Sequence, residues 1–251
     1  MRYFIQFSYF GKAYHGWQRQ PNAITVQEVL EKALSTLLRQ QVEVVGAGRT
    51  DAGVHAKEMY AHFDFVEIED PVQLTDRLNS FLPVDIAVQK IIKVKLDAHA
   101  RFDALERTYE YWLVQEKSPF FIDSAHYVAH PLDMEKMNIA ASLLLEHTHF
   151  ECFSKSKTDV KTYICDVRYA QWEENKEKLV FTITADRFLR NMVRAVVGTL
   201  LDVGTGKMEP EQINTIIASK DRSKAGVSVP AKGLYLTKVS YPKEIFDEQE
   251  G

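Results

Sequence analysis

Cysteine is scarce in this sequence, and its scarcity excludes a fold held together by disulfides. Only Cys152 and Cys165 occur among 251 residues, whereas disulfide-rich domains carry several closely spaced pairs. We expect both to be buried free thiols in a reducing compartment. His147 and His149 lie near Cys152, but the spacing matches no common zinc pattern and a second pair of ligands is missing. No metal site is therefore expected.

Long apolar runs are also absent. No stretch approaches the roughly 20 consecutive apolar residues that span a bilayer. The N-terminus alternates apolar and polar residues as a strand does, and it lacks the basic, apolar and small-residue order of a signal peptide. With 45% hydrophobic and 26% charged residues, the composition is that of an ordinary globular protein. We expect a cytoplasmic protein that does not contact membranes.

An excess of positive charge is missing as well, since the formal net charge is −4. The distribution of charge matters more than its sum, and the basic residues form runs. These runs contain Lys155, Lys157, Lys161 and Arg168, then Arg187, Arg190 and Arg194, and finally Lys220, Arg222, Lys224 and Lys232. They fit a surface for nucleic acid and solvated protein faces equally well.

Apolar periodicity and turn residues predict an α+β fold in two halves of similar outline. In the first half the order is strand, helix, strand, strand, helix, strand, with the second strand over 42–48. Thr25 is the predicted N-cap of the first helix, and Pro71 opens the second.

The second half repeats this outline more loosely. Asp133 caps a helix, a polar turn at 173–178 joins two strands, and residues 187–204 are predicted to form one helix. We expect an N-terminal half over 1–100, a C-terminal half over 101–242 and an acidic, mobile tail over 243–251.

The segment GAGRTDAGVHA, residues 46–56, is the most informative part of the chain. It holds three glycines and three alanines around Arg49 and Asp51. Such small residues let a backbone approach another group closely or adopt unusual dihedral angles. From composition alone, a hairpin tip at the surface explains the segment equally well.

This segment resembles the active-site loop of the pseudouridine synthase family whose members modify tRNA, and by further blocks it resembles the synthase A branch. The blocks follow the family's order over most of the chain: 9–20, 79–88, 98–113, 188–194 and 225–241. The chain departs from the family at Phe10, where an acidic residue is usual, in the block at 147–150, and at 228–230. None of these departures touches the proposed catalytic positions.

The resemblance implies a fold, an assembly and a reaction. The fold is the pseudouridine synthase fold, in which two ferredoxin-like or RRM-like halves carry a mixed, mostly antiparallel sheet that lines a central cleft. The assembly is a homodimer without a cofactor. The reaction converts uridine to pseudouridine at positions 38, 39 and 40, in the anticodon stem-loop of tRNA.

That reaction breaks the bond between uracil N1 and ribose C1′ and rejoins the ring through C5. One carboxylate suffices because uracil leaves as a stabilised anion, whereas a glycosidase needs a second carboxylate to protonate its leaving group. By resemblance the catalytic carboxylate is Asp51. Attack on C1′ and removal of a C2′ proton are both open to it.

The resemblance also assigns the residues around the base. Arg194 balances the charge of Asp51, since burial alone opposes ionisation. Arg49 fills the gap left by the flipped nucleotide, Tyr109 stacks on the uracil, and Leu234 lines the pocket beneath it. Tyr111 lies on the same strand face as Tyr109 and is the competing aromatic residue.

Contacts to RNA phosphates are expected from basic residues in the runs and the opening loop. The predicted residues are Lys12, Arg19, Arg101, Lys155, Lys157, Arg190, Arg222 and Lys224. Three other functions stay open: a pseudouridine synthase with a different RNA target, an RNA-binding protein without catalysis, and a nucleoside hydrolase or glycosidase.

The predicted phosphate contacts make RNA binding sensitive to salt. The affinity for tRNA should fall steeply as ionic strength rises, because binding to the backbone releases condensed counterions. A titration of tRNA binding at several salt concentrations measures the slope. A flat response would contradict the role assigned to the basic residues.

Overall fold

The computed structural model describes residues 1–155 and 160–246, and the fold over them is α+β, as predicted. Contacts divide the chain into two units, Met1–Leu105 together with the segment from Leu236, and Glu106–Tyr235. The sequence-based division placed everything from 101 to 242 in the second half. Most of the last strand, from Leu236 onward, lies instead with the first unit, where Val239 N donates to Glu58 Oε1 at 2.8 Å.

The expected mobile tail begins inside the described structure. Lys243–Ile245 form a 3-10 turn, the side chain of Ile245 is buried, and Phe246 pairs with Val94 in a β-bridge. Contacts therefore hold the start of this segment, contrary to expectation. Residues 247–251 lie outside the described residues, and their mobility stays a prediction.

The first unit has the strand and helix order of a ferredoxin-like fold. Its elements are β1 (Arg2–Tyr9), α1 (Val26–Leu38), β2 (Val45–Gly46), β3 (His55–Asp64), α2 (Pro71–Phe81) and β4 (Ile86–Val94). Strand β1 is central and pairs antiparallel with both β3 and β4, and β2 pairs antiparallel with β3.

The helices of this unit begin at the residues that their caps predict. The Thr25 hydroxyl accepts from Glu28 N at the start of α1, and Asp70 Oδ1 accepts from Gln73 N at 2.8 Å ahead of Pro71. These contacts satisfy N–H groups that a helix start leaves without a partner.

The strand predicted over 42–48 is much shorter, since only Val45–Gly46 pair in the sheet. Backbone groups before it bond to side chains of α1 instead. Val42 N donates to Ser35 Oγ at 2.9 Å, and Val44 N donates to Glu31 Oε1 at 3.0 Å. Helix α1 thus takes the place of a neighbouring strand.

Glu31 is the centre of a buried polar cluster. Only 4% of the residue is exposed, and its carboxylate accepts from Val44 N at 3.0 Å and from Gln27 Nε2 at 3.2 Å. The guanidinium of Arg19 forms an ion pair with the same carboxylate. A buried carboxylate needs such partners because desolvation is otherwise unfavourable.

The second unit follows a similar order of elements, with β6 and α5 as additions. Its elements are β5 (Glu106–Val114), β6 (His126–Tyr127), α3 (Met134–Leu143), β7 (Val167–Asn175), β8 (Lys178–Ala185), α4 (Met192–Gly204) and α5 (Gln212–Ser219). The last strand, β9 (Leu234–Ser240), has its first two residues in this unit and the others in the first unit. Strand β8 pairs antiparallel with β5 and with β7, and β6 pairs parallel with β5. The predicted cap at Asp133 and the predicted hairpin between β7 and β8 are both confirmed.

The helix predicted over 187–204 begins only at Met192. Asn191, just before it, has φ of 66°, in the left-handed region, and its Nδ2 donates to Ser228 Oγ at 2.6 Å. Arg190 therefore precedes the helix. The predicted helix over 187–204 would have placed it one helical turn from Arg194, and that expectation is wrong. The side chain of Asn191 and its left-handed backbone set this boundary.

Both cysteines are buried free thiols, as expected. Burial raises the pKa of Cys152 and that of Cys165 to about 12. Among residues 1–155 and 160–246, no group of three or more His, Cys, Asp or Glu side chains is arranged to hold a metal ion. In the same part of the chain, no helix has the length and apolar character to cross a membrane.

The buried carboxylate of Glu31 should contribute strongly to stability. Glu31→Ala leaves Val44 N without its acceptor, removes one of the two acceptors of Gln27 Nε2 and removes the ion pair with Arg19. We therefore expect a loss of about 2–4 kcal/mol in the free energy of unfolding. The exposed Glu43, on the same connection, is the matched control, and Glu43→Ala should change stability by less than about 0.5 kcal/mol. Urea unfolding measures both. Equal effects would contradict the role of the buried cluster.

Candidate active site

The loop that carries Asp51 connects β2 to β3 in the first unit. Thr50 is buried, Arg49 is exposed, and Asp51 is half-buried. Beyond Asp51 the chain turns tightly, with Val54 N donating to Asp51 O at 3.2 Å and Gly53 at φ 77°. The loop thus presents a cation and a carboxylate on either side of an anchored residue.

The opening loop, residues 9–20, holds the backbone on both sides of Asp51. Trp17 N donates to Thr50 O at 3.2 Å, and Gly53 N donates to Tyr14 O at 3.2 Å. Gly16, with φ of 92°, packs so closely that a Cβ atom there would overlap the Thr50 carbonyl oxygen. Gly16 and Trp17 are therefore a backbone support for the loop that carries Asp51.

Side chains add a second layer to this support. The hydroxyls of Tyr9 and Thr50 lie 2.7 Å apart in a buried hydrogen bond. His55 Nδ1 accepts from Gly11 N at 2.9 Å, and Phe10 stacks on the His55 ring at 4.1 Å between centroids. Phe10, one of the departures from the family pattern, thus contacts the end of the loop that carries Asp51.

Asp85 ties the block at 79–88 to the same opening loop. Its carboxylate accepts from the Tyr14 hydroxyl at 2.6 Å, and its carbonyl accepts from Phe10 N at 2.8 Å. Burial, together with this hydrogen bond, raises the pKa of Tyr14. Sequence reasoning did not single out His55 or Asp85, because both act through residues distant in the chain.

In the second unit the two competing tyrosines of β5 have different surroundings. Tyr111 is fully buried, and its hydroxyl donates to Pro230 O at 2.9 Å. Tyr109 is half-buried and meets Phe188 edge to face, with ring centroids 5.1 Å apart. Tyr111 is therefore a core residue, and Tyr109 is the one with part of its ring accessible.

Arg194 lies in the first turns of α4, where residues 225–229 run alongside. Its Nε donates to Val229 O at 2.7 Å, and Val229 N donates to Arg194 O at 3.2 Å. The contact is close because Gly198 and Gly226 meet backbone to backbone, and a Cβ on either would overlap the other segment.

Leu234, the first residue of β9, is buried. The preceding Gly233 leaves room for the Tyr111 ring, since a Cβ there would lie 2.7 Å from Tyr111 Cζ. Within the second unit, Tyr111 thus connects the segment before β9 to β5. The charge of Arg194 also acts on Tyr111, opposing the rise in its pKa that burial causes.

Arg19 and Arg222, two of the predicted phosphate contacts, bond to groups of the fold. Arg19 pairs with the buried carboxylate of Glu31. Arg222 donates to Gly226 O at 3.1 Å and to Ser228 Oγ at 2.8 Å, so it holds the segment that runs beside α4. For both residues, the phosphate role stays a prediction alongside an observed role in the fold.

The other basic residues lie at the surface. Those exposed are Lys12, Arg101, Lys155, Arg190 and Lys224, while Lys157 lies outside the described residues. Two of them are brought together in the second unit, since Lys155 N donates to Arg190 O at 3.0 Å. This pairing of two basic segments was not visible in the sequence.

These features define an α+β protein with a carboxylate on a rigid, glycine-rich loop. A family model described as tRNA pseudouridine synthase matches residues 5–103 and 140–242. Among curated proteins, one from Bacteroides thetaiotaomicron named tRNA pseudouridine synthase A is 54% identical over 251 residues, covering 99% of this chain and 93% of the relative. A protein of the same name from Bacteroides fragilis is 53% identical, with 98% of each chain covered. Another from Clostridium acetobutylicum is 39% identical and covers 94% of this chain and 98% of the relative.

Fold and sequence therefore agree on the class. The chain belongs to the tRNA pseudouridine synthase family.

The close approach of Gly16 to Thr50 yields a test of the loop support. Gly16→Ala forces a side chain into the left-handed region and against the Thr50 carbonyl, so the free energy of unfolding should fall by about 1–3 kcal/mol. Gly48→Ala is the matched control in the partner loop, because a Cβ there meets no atom within 4 Å. It should change stability by less than about 0.5 kcal/mol. If chemical denaturation shows the two variants to be equally stable, the support is not as close as described.

Proposed function

We propose that this protein converts uridine to pseudouridine in the anticodon stem-loop of tRNA, at positions 38, 39 and 40. Family membership and the printed names of the relatives support this activity. The observation that carries the proposal is the anchoring of the Asp51 loop, whose backbone is bonded to the opening loop before and after Asp51. Such anchoring suits a group that must reach one atom of a substrate.

Asp51 is the proposed catalytic residue. Residues 46–56 contain one carboxylate, which is what the chemistry requires, because the departing uracil is a stabilised anion that stays bound. The carboxylate either attacks C1′ or removes a proton from C2′ before the ring rejoins through C5. No redox step occurs and no atom is lost, so the reaction needs no cofactor.

The remaining roles follow the family resemblance and are supported by the surroundings of each residue. Exposed Arg49 fills the gap in the RNA stack after the nucleotide flips. Tyr109, with part of its ring accessible, stacks on the uracil, and Leu234 lines the base pocket. Arg194, oriented by the Val229 carbonyl, supplies the positive charge that balances the carboxylate of Asp51.

The surface cations are the proposed contacts to RNA phosphates. Lys12, Arg101, Lys155, Arg190 and Lys224 are exposed, so their positive charges lie at the surface where an RNA backbone can approach them. We further propose, from the resemblance, a homodimer that acts on tRNA in the cytoplasm.

The catalytic assignment is tested by Asp51→Asn, which removes the charge and keeps the shape. The rate of pseudouridine formation in an unmodified tRNA transcript should fall by at least about 1,000-fold, while the Kd for the same tRNA should change little. Asp76→Asn, on the exposed face of α2, is the matched control and should retain the wild-type rate.

The outcomes separate the competing functions. Retention of activity in Asp51→Asn would disprove the catalytic role. Release of free uracil by the wild-type protein would indicate a hydrolase, since an isomerase releases none. Tight binding of tRNA with no modified base in either protein would indicate an RNA-binding protein without catalysis. Mapping pseudouridine in tRNA from cells that lack the protein identifies the target positions.

A further inference from the structure

Residues 98–104 of the first unit fold around two imidazole rings. Ala100 N donates to His62 Nδ1 at 3.1 Å, and the next two backbone N–H groups, of Arg101 and Phe102, donate to His99 Nδ1 at 3.1 and 3.3 Å. Asp103 closes the turn by accepting from His99 N at 2.7 Å. The conformation of this loop is thus fixed by side chains that accept backbone hydrogen bonds.

The same two rings form a column that leads from the core to the surface. Phe4 stacks on His62, the rings of His62 and His99 lie 4.6 Å apart, and His99 packs against Phe102 at 4.2 Å. At the outer end, the guanidinium carbon of Arg101 lies 5.7 Å from the centre of the Phe102 ring. Phe102 is 74% exposed, so a supported aromatic ring stands in solvent beside a cation.

The imidazoles can accept these bonds only while Nδ1 carries no proton. His62 faces His99, Arg2, Asp64 and Asp103, and burial lowers its pKa to about 4. His99 faces Asp103, Arg2 and Arg101, and burial is the main cause that lowers its pKa as well. The neutral forms are therefore favoured near pH 7, which keeps the loop in place.

We propose that Phe102 and Arg101 form a contact platform for tRNA, held in position by His62 and His99. The proposal rests on the proposed function, since it takes tRNA as the ligand. A nucleobase or ribose packs on the exposed face of Phe102, because stacking on an aromatic ring needs no particular base. Arg101 binds the adjacent phosphate, and its planar guanidinium also stacks on a base. His62 and His99 do not touch RNA and are positioning residues.

An RNA ligand fits this surface better than a protein ligand does. The exposed ring has a cation beside it, and this pairing matches the alternation of flat bases and anionic phosphates along an RNA strand. Resting on His99, the ring is already oriented, so little side-chain entropy is lost when a base packs on it.

The contact is tested by measuring the Kd for an unmodified tRNA transcript and the kcat for pseudouridine formation separately. Phe102→Leu keeps an apolar side chain and removes the flat ring, so the Kd should rise about tenfold while kcat at saturating tRNA stays near the wild-type value. Phe81→Leu, the same substitution at another partly exposed position of the first unit, is the control and should leave both quantities unchanged.

The positioning role is tested at His99. In His99→Asn the amide oxygen takes the place of the ring nitrogen as acceptor, so the Kd at pH 7.5 should rise less than in His99→Leu, which has no acceptor. In the Phe102→Leu background, His99→Leu should add little further loss, because both changes act through the same ring.

Several results would overturn the proposal. One is an unchanged Kd in Phe102→Leu, and another is full additivity of the effects of Phe102→Leu and His99→Leu. A third is a Phe102→Leu variant whose oligomeric mass changes while its tRNA affinity does not, which would assign the ring to a contact between copies of the chain. If the wild-type enzyme is active and Phe102→Leu binds tRNA equally well, the contact platform is disproved and the proposed activity is not. If the wild-type protein binds tRNA through Phe102 but makes no pseudouridine, the proposed activity is disproved and the contact platform is not.

Discussion

The position of the Asp51 carboxylate depends on the backbone contact between two loops. Residues 14–18 and 49–54, where the two loops meet, lie outside helices and strands that would satisfy their peptide groups, and a peptide group left without a partner in the interior is unfavourable. Each loop supplies the other's partners, through Thr50 and Trp17 on one side of the carboxylate and Gly53 and Tyr14 on the other. Trp17, 3% exposed, closes the contact with apolar surface. The glycine at position 16 is needed because only it permits this approach.

The second unit uses the same device at α4. There the segment at 225–229 meets the helix through Gly198 and Gly226, and the buried hydroxyl of Thr199 accepts from Gly226 N at 2.9 Å. The segment in turn holds the guanidinium of Arg194 through Val229 O. Asp51 and Arg194, both proposed site residues, are therefore each held by backbone groups of another segment of the chain. A backbone group moves less than a side chain, which suits groups that must keep one geometry.

The sequence predicted correctly those helix starts that depend on interactions between neighbouring residues. Thr25, Pro71 and Asp133 mark helix starts because each signal acts on residues next to it in the chain. The extent of β2 and the start of α4 depended on side chains far along the chain, such as Ser228 bonding to Asn191. No periodicity in the sequence encodes such a partner, and the predictions for these segments were wrong for that reason.

The candidate site also has features that the sequence predicted and features that only the structure could show. The sequence identified the glycine-rich loop and placed it between two strands, but alternation alone could not separate Tyr109 from Tyr111, since both lie on one face of β5. The structure separates them by burial and by the Pro230 carbonyl. Basic runs were equally ambiguous, because an arginine that binds phosphate and one that binds Glu31 or Ser228 look alike in sequence.

The half-buried state of Asp51 fits the way in which the loop is held. A carboxylate fixed by full burial would lose its hydration in the free protein, which favours the neutral form that cannot act on C1′ or C2′. A carboxylate fixed through its own backbone keeps part of its hydration until a nucleotide covers it. In the proposed reaction the bound substrate then imposes the desolvation, and the positive charge that develops at the sugar can offset it. The close packing of Gly16 against Thr50 allows the Asp51 carboxylate to be held in position without being fully buried. In this way the sequence of the opening loop contributes to the proposed chemistry.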